Sequence, residues 1–319
     1  MVNRQDWRKK RGGSRVLIFC ITALFLLGSC FFLFSSKPPR GRLGLVLPGN
    51  PTIVVSWESE RQRFAVFILP ETMQINAIKG YGWYGLDALW KLDSMDARKG
   101  ILFRSSLEDA LATPIQWHSA NTFSNWTGSS DEIVFQLKGI FSFSNCLHMV
   151  LTGKTNIPLG DVPYVWKKFQ IMGFDKTTVF DFRQGQIAGA FELPDQTSVW
   201  RFDSEKYDAI VGNNLEDTPL RQEGMRIALY NTTGTPGIAQ RIAREIELSG
   251  GFVVSVGNDD NPYEGLCEVS GMKPQIASLT ANFFRSQFGC SLVERQTRER
   301  ADLVVRLGKG IERRFLPEK

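Results

Sequence analysis

Histidine is scarce in this 319-residue chain: only His118 and His148 are present. Five cysteines occur, and no two stand at CxxC or another metal-ligand spacing, which argues against a zinc site. A charge excess is missing from the body of the chain. The formal +5 lies in residues 1–15, where Arg4, Arg8, Lys9, Lys10, Arg11 and Arg15 face only Asp6. The other 304 residues hold 32 basic and 32 acidic side chains. A nucleic-acid binder would carry a basic face in its folded part, so no nucleic-acid partner is expected. A complete phosphate loop is also lacking. In "LTGKT", residues 151–155, the position five before Gly153 is His148 rather than glycine. The loop "NTTGTPG", residues 231–237, offers neither GxGxxG nor GxxxxGK[ST]. It reads as a structural turn, with Gly234 turning the chain, Thr235 as a cap and Pro236 in the first helical turn.

One long apolar run is there. Residues 16–34, "VLIFCITALFLLGSCFFLF", carry no charge and suffice to span a bilayer core of about 30 Å. A cleaved signal would be shorter, and Phe31–Phe34 continue the run past the "LGSC" that would otherwise suggest lipidation at Cys30. An uncleaved single-pass anchor in the plasma membrane is expected. The six preceding positive charges place the N-terminus in the cytoplasm and the bulk of the chain outside. Cys20 and Cys30 then belong to the membrane helix, while Cys146, Cys267 and Cys290 face an oxidising side. Cys267 and Cys290 either form a disulfide, worth roughly 3 kcal/mol, or stay as two buried thiols. The sequons at Asn125 and Asn231 carry little weight in a bacterial-looking chain.

Composition shifts divide the rest. Residues 1–15 are a basic tail, 16–34 the anchor, and 35–51 a Pro/Gly-rich spacer. Residues 52–212 form a first domain, 213–224 a polar linker, 225–310 a second domain and 311–319 a tail. In the first domain, alternation predicts strands in "TIVVSW" and "RFAVFIL" and a helix from Leu86. A short helix capped by Ser105 or Ser106 is expected at 105–113, strand and loop at 116–145, and a helix entered through Pro158 and Pro163. In the second domain, strands at 226–231, 252–257, 266–269, 290–293 and 302–307 alternate with helices at 237–249 and 273–287. The expectation is an α/β (α+β) chain whose C-terminal domain is a ferredoxin-like βαββαβ sheet with both helices on one face.

The second domain also resembles a known family. "IALYNTTGTPGIAQRIAREIELSGGFVVSVGNDDNPYE" carries Asn231, Gly234, Gly237, Ala239, Ala243, Gly251, Phe252, Val254, Asn258, Asp259 and Tyr263 in order. With "ADLVVRLGKG" at 301–310, this pattern resembles the C-terminal domain of LytR-type cell-envelope proteins. The first domain resembles, more distantly, the LytR/CpsA/Psr (LCP) catalytic domain. The strand-turn-strand at 51–75, "GYGWYGLDALW" at 80–90 and "SSLEDALATPIQWH" at 105–118 carry that likeness. The resemblance implies transfer of glycopolymers from a polyprenyl-pyrophosphate carrier to peptidoglycan. It also implies arginines and a Mg²⁺ ion that neutralise the leaving group.

The departures fall where that chemistry would sit. Pro51 stands in place of the aspartate before Thr52, and Pro70-Glu71-Thr72 stands where the family has Pro-Arg-Asp, a charge reversal at Glu71. Arg61, Arg63, Arg104 and Arg183 could restore positive charge, although surface arginines are the plainer reading. Five of eight tryptophans lie between Trp57 and Trp126, and core packing accounts for most of them. Tyr81-Gly82-Trp83-Tyr84 is the exception, because adjacent rings cannot all face one core. The candidate groove for pyrophosphate, lipid or glycan therefore comprises Thr52, Arg61, Arg63, Glu71, Tyr81, Trp83 and Arg104. The expected role is binding or scaffolding in cell-wall biogenesis without turnover, with peptidoglycan or wall glycopolymer as partner. An active Mg²⁺-dependent ligase and a simple peptidoglycan-binding anchor are the alternatives.

Overall fold

The computed structural model describes residues 41–315 apart from 59–60, 96–99, 121–125, 127, 297–299 and 314. The basic tail, the anchor at 16–34 with Cys20 and Cys30, and the sequon at Asn125 lie outside the described residues. Among the described residues, no single helix is long and apolar enough to cross a membrane.

Among the described residues, nine strands precede residue 203: β1 (Arg42–Leu47), β2 (Thr52–Glu58), β3 (Phe64–Leu69), β4 (Gln74–Ala77), β5 (Gly82–Gly85), β6 (Trp117–His118), β7 (Thr177–Asp181), β8 (Ala188–Glu192) and β9 (Ser198–Phe202). A five-stranded sheet runs β6-β1-β2-β3-β7, and a four-stranded sheet runs β5-β4-β9-β8. β1, β2 and β3 are antiparallel neighbours, while β6 and β7 flank them in parallel pairings. Continuous apolar runs such as "TIVVSW" suit a sheet covered on both faces. Alternation divides them. Val46, Val54, Ala65, Phe67 and Leu69 face one core with the helices Leu86–Met95 and Ile101–Leu111. Leu45, Ile53, Val55, Trp57 and Val66 face another, against helices Ser130–Ile140, Phe143–Leu151 and Val162–Ile171.

Several expectations are corrected here. Residues 42–47 are not spacer but β1, buried throughout and paired along its length with β2. Gly44, which suggested a linker, is required by packing, because a Cβ there would collide with the Pro114 carbonyl. The helix expected at 105–113 starts at Ile101. Ser106 caps nothing, being buried in mid-helix, where it donates to the Leu102 carbonyl and accepts from Ile78 N–H. Residues 130–151 are two helices rather than strand and loop, the first opened by a Ser129–Glu132 capping box. The "linker" at 213–224 contains helix Thr218–Glu223, capped by Asp217 and anchored by buried Leu220. The tail begins as helix Lys309–Glu312, and Phe315 packs into the core.

The second unit contains β10 (Arg226–Asn231), β11 (Phe252–Asn258), β12 (Cys267–Gly271), β13 (Ser291–Glu294) and β14 (Leu303–Leu307). Helices Ile238–Leu248 and Leu279–Gln287 both bury into one core with the sheet, as expected, but the helix expected at 273–287 is split into Lys273–Ile276 and Leu279–Gln287, the latter capped by Ser278. The ferredoxin-like topology is not what forms. A ferredoxin-like sheet keeps its two βαβ partners apart and all neighbours antiparallel; here the order is β11-β10-β14-β12-β13. β10 pairs directly and in parallel with β11, and β12 with β13. Each crossover helix thus lies over its own strand pair. β14, nearly all buried, inserts between β10 and β12 and joins the two halves. Cys267 and Cys290 are bonded, with Cα atoms 4.5 Å apart. The same apolar core continues from the first unit into the second. Arg244 clamps the seam with a fork onto Asp208 at 2.7 and 2.8 Å and a bond to the Ala110 carbonyl.

Candidate functional site

The seven candidate residues fall into four places. Thr52 and Glu71 meet at one edge of the five-stranded sheet, since Thr52 pairs with Leu69, two residues before Glu71. Asn50 Nδ2 donates to Glu71 Oε1 at 2.8 Å, and buried Thr52 donates to the Gly49 carbonyl. β7 ends on the same edge, its Asp181 opposite Ile68. Arg183 reaches Asp181 from Nε at 2.9 and 3.1 Å and donates to the Gly128 carbonyl at 3.0 Å. Ser130 completes the set with a hydroxyl bond to Asp181 Oδ2 at 3.0 Å. The Arg183 hydrogen bonds are the main cause that holds the Asp181 carboxyl below its ordinary range. The arginine at this edge is therefore already neutralised by its own carboxylate.

Mg²⁺ fares no better there. Asp181 is engaged by Arg183, Asp87 by Lys91 at 3.2 Å, and Glu71 by Asn50. Among the described residues, no three His, Cys, Asp or Glu side chains could hold a metal ion. The Mg²⁺ that the family resemblance implies would find no preformed site among the described residues, only carboxylates already hydrogen-bonded or paired.

Arg61 and Arg63 lie at the other end of β2 and β3, about 20 Å away at the rise of a six-residue strand. Arg61 is 3.7 Å from Glu58, and Arg63 donates to Thr218 at 3.4 Å. Burial and nearby Asp217 push the Glu58 carboxyl up, in that order. Arg104 lies on the inner helix, where it donates to the Gln116 carbonyl. Its neighbour His118 is 8% exposed and packs 5.9 Å from the Trp90 ring. Burial, then Arg104, lowers the His118 pKa to about 4. A neutral imidazole and a guanidinium that serves a backbone carbonyl make a packing arrangement, not an anion cradle.

Tyr81 and Trp83 belong to the smaller sheet. Tyr81 and Tyr84 lean on the core, and the alternation of β5 turns Trp83 outward, 40% exposed. Arg201 of β9 stacks on the Trp83 ring at 4.8 Å. The other tryptophans of this stretch pack inward, Trp57 against Trp117 at 5.8 Å, with Trp126 buried and Trp90 on the inner core. No motif in the sequence marks Arg201 or its second ring, Phe191. Alternation within "AGAFE" and "SVWRF" was the available signal, but only strand register sets them side by side.

The loop 231–237 is closed upon itself. Asn231 donates to the Thr235 carbonyl at 2.8 Å, and its Oδ1 accepts from Thr233 N–H and hydroxyl at 3.0 and 2.7 Å. Thr233 in turn accepts from Thr235 N–H, and the Thr235 hydroxyl bonds Glu312. Gly234 and Gly237 take φ of +80° and +84°, the left-handed region where glycine is unstrained. Gly237, rather than Thr235, is the residue that precedes the helix. Thr232 ties the loop to β14 through the Leu307 carbonyl at 2.7 Å.

These last hundred residues therefore define a small α/β module whose glycine loop is architectural. Residues 224–310 match the family model described as LytR cell envelope-related transcriptional attenuator, so the module belongs to that LytR C-terminal family. The resemblance noted for 225–310 holds. No curated protein matches the chain in sequence. Among solved structures, the chain is similar to the LytR-CPS2A-psr family protein YwtF (TagT) with bound octaprenyl pyrophosphate lipid. That likeness is 14% identity and a TM-score of 0.37 over 55% of this chain and 90% of that one. It is also similar to YvhJ of Bacillus subtilis, described as a transcriptional regulator, at 9% identity and TM-score 0.39 over 55% and 95%. TagT bound to LI-WTA gives 13%, 0.34, 54% and 88%.

Proposed function

We propose that this chain is a cell-envelope protein, anchored by residues 16–34 in the plasma membrane with its folded part outside. It holds wall polymer and does not turn over a pyrophosphate-linked donor. The C-terminal LytR module supports the envelope setting. The observation that carries the absence of turnover is the edge around Thr52. Glu71 stands in the arginine's place, and Arg183 is bound by Asp181. A pyrophosphate brought there would meet the Glu71 carboxylate and an arginine already held by Asp181, and catalysis of its departure depends on preorganised positive charge.

Sedimenting the purified full chain with sacculi tests the binding half. Saturable co-sedimentation is the expected result. A chain that stays in the supernatant across a range of ionic strength contradicts it.

A further inference from the structure

Among the described residues, no helix or strand is layered over the outer face of the β5-β4-β9-β8 sheet. Gln74, Asn76, Trp83, Val199, Arg201 and Phe191 share that face by register, and none of them is buried. The inner face sends Ile75, Ala77 and Ala188 into the core. An antiparallel face left to water ordinarily carries polar side chains, yet Trp83 and Phe191 stand 40% and 44% exposed here.

Between those rings lies Arg201. Its guanidinium carbon is 3.5 Å from the Phe191 centroid and 4.8 Å from that of Trp83. Its Nε donates weakly to Gln74 Oε1 at 3.4 Å. Stacking on two rings holds the planar fork at little entropic cost. Gly189 sits opposite Arg201 with open space where a Cβ would be, so the floor between the rings stays flat. A shallow pocket of about 440 Å³ continues this floor past Arg201 and Phe191 to Ser204 and Glu205.

The chemistry of the face is mixed. It has ring faces for polarised C–H groups, a fork of donors, two amides and an acceptor in Glu205. An apolar peptide would leave the fork and the amides without partners, which is costly. A polyanion would meet Glu205 on this floor, while the neighbouring Lys206 is already paired with Asp203 at 3.6 Å. A sugar ring fits both halves, because it offers C–H faces to rings and hydroxyls that donate and accept.

We propose that this sheet face binds an uncharged pyranose glycan strand, with sugars stacked on Trp83 and Phe191 and hydrogen-bonded by Arg201, Gln74 and Asn76. The proposal deepens the wall-binding reading and rests on it only for where the glycan is met.

The test is calorimetric titration of the full chain, in detergent micelles, with a β-1,4-linked N-acetylglucosamine hexamer. Saturable binding is expected, weakened at least tenfold in Trp83→Ala, Phe191→Ala and Arg201→Ala. Arg201→Lys should lose as much, since it keeps the charge without the flat fork. Each variant should melt as the unaltered protein does. No saturable binding, or binding indifferent to Trp83→Ala and Phe191→Ala, overturns the proposal. So does a poly(glycerol phosphate) chain that binds through Trp83 while the hexamer does not. Hexamer binding by a protein that fails to sediment with sacculi keeps this inference and removes the wall reading; sedimentation without Trp83-dependent hexamer binding does the reverse.

Discussion

The loop Asn231–Gly237 and the outer face around Arg201 are both rich in polar groups, and they use them in opposite ways. In the loop, Asn231, Thr232, Thr233 and Thr235 bond one another or the adjacent strand and helix. On the sheet face, Arg201 has two rings and one long hydrogen bond. Polar groups satisfied internally specify a fold, whereas preorganised donors without partners specify a ligand. The glycine-rich loop, which by composition suggests a phosphate site, is therefore the architectural element. A pair of short strands with no motif carries the binding surface.

The comparison can be broken first in the C-terminal module. Replacing Cys267 and Cys290 by serine should lower stability by about 3 kcal/mol, given the usual worth of such a closure, read as an earlier denaturant midpoint. Glycan binding should not change, because the bond lies in the other unit. If the double variant loses hexamer binding while remaining folded, the two regions are not independent.

His118 supplies a pH-dependent contrast. Its folded pKa of about 4 lies below the unfolded 6.5, so only the unfolded chain takes up a proton between those values. Stability should fall as pH drops through 6.5, by about 2 kcal/mol at pH 5 and about 3 below pH 4. His118→Gln should flatten that part of the pH profile in denaturant melts. An unchanged slope would show that other groups carry the acid lability.

Asn231→Ala removes a side chain that bridges three loop positions. A loss of roughly 1 kcal/mol is expected, because half-buried Thr233 and Thr235 lose their partner, with no change in the response to added anions. Anion-dependent stabilisation that disappears in this variant would restore the phosphate reading of the loop. Trp83→Ala should shift stability least, by well under 1 kcal/mol, as the ring is largely exposed and outside the core. A larger loss would place Trp83 among the packing residues.

The C-terminal module was legible because punctuation and period agree along it. Gly237, Gly250-Gly251 and Ser278 bound the elements, and Ile238, Ile242 and Ile246 mark one buried helix face. Its topology was not legible, since the same element order suits a sheet with β14 at the edge or in the centre. In the first unit, β1 was hidden by Gly44 and nearby prolines, although that glycine serves a close approach to the Pro114 carbonyl. The Ser129–Glu132 box is the one sequence mark of the first of the helices at 130–151. For the candidate groove, the strand-turn-strand pattern already implies that Arg61 and Arg63 lie at the turn of the β2–β3 hairpin, at the opposite end from Thr52 and Glu71. Spacing could not bring Trp83 beside Arg201, over a hundred positions later, since strand register decides that contact.

The central claim is that the edge around Thr52 and Glu71 has lost the charge needed to release a pyrophosphate. Incubating the full chain with a polyprenyl-pyrophosphate-linked sugar analogue and Mg²⁺, and measuring polyprenyl phosphate, tests it directly. The account predicts no release above the level seen without protein. Release that disappears on Arg183→Ala would contradict it and establish a ligase.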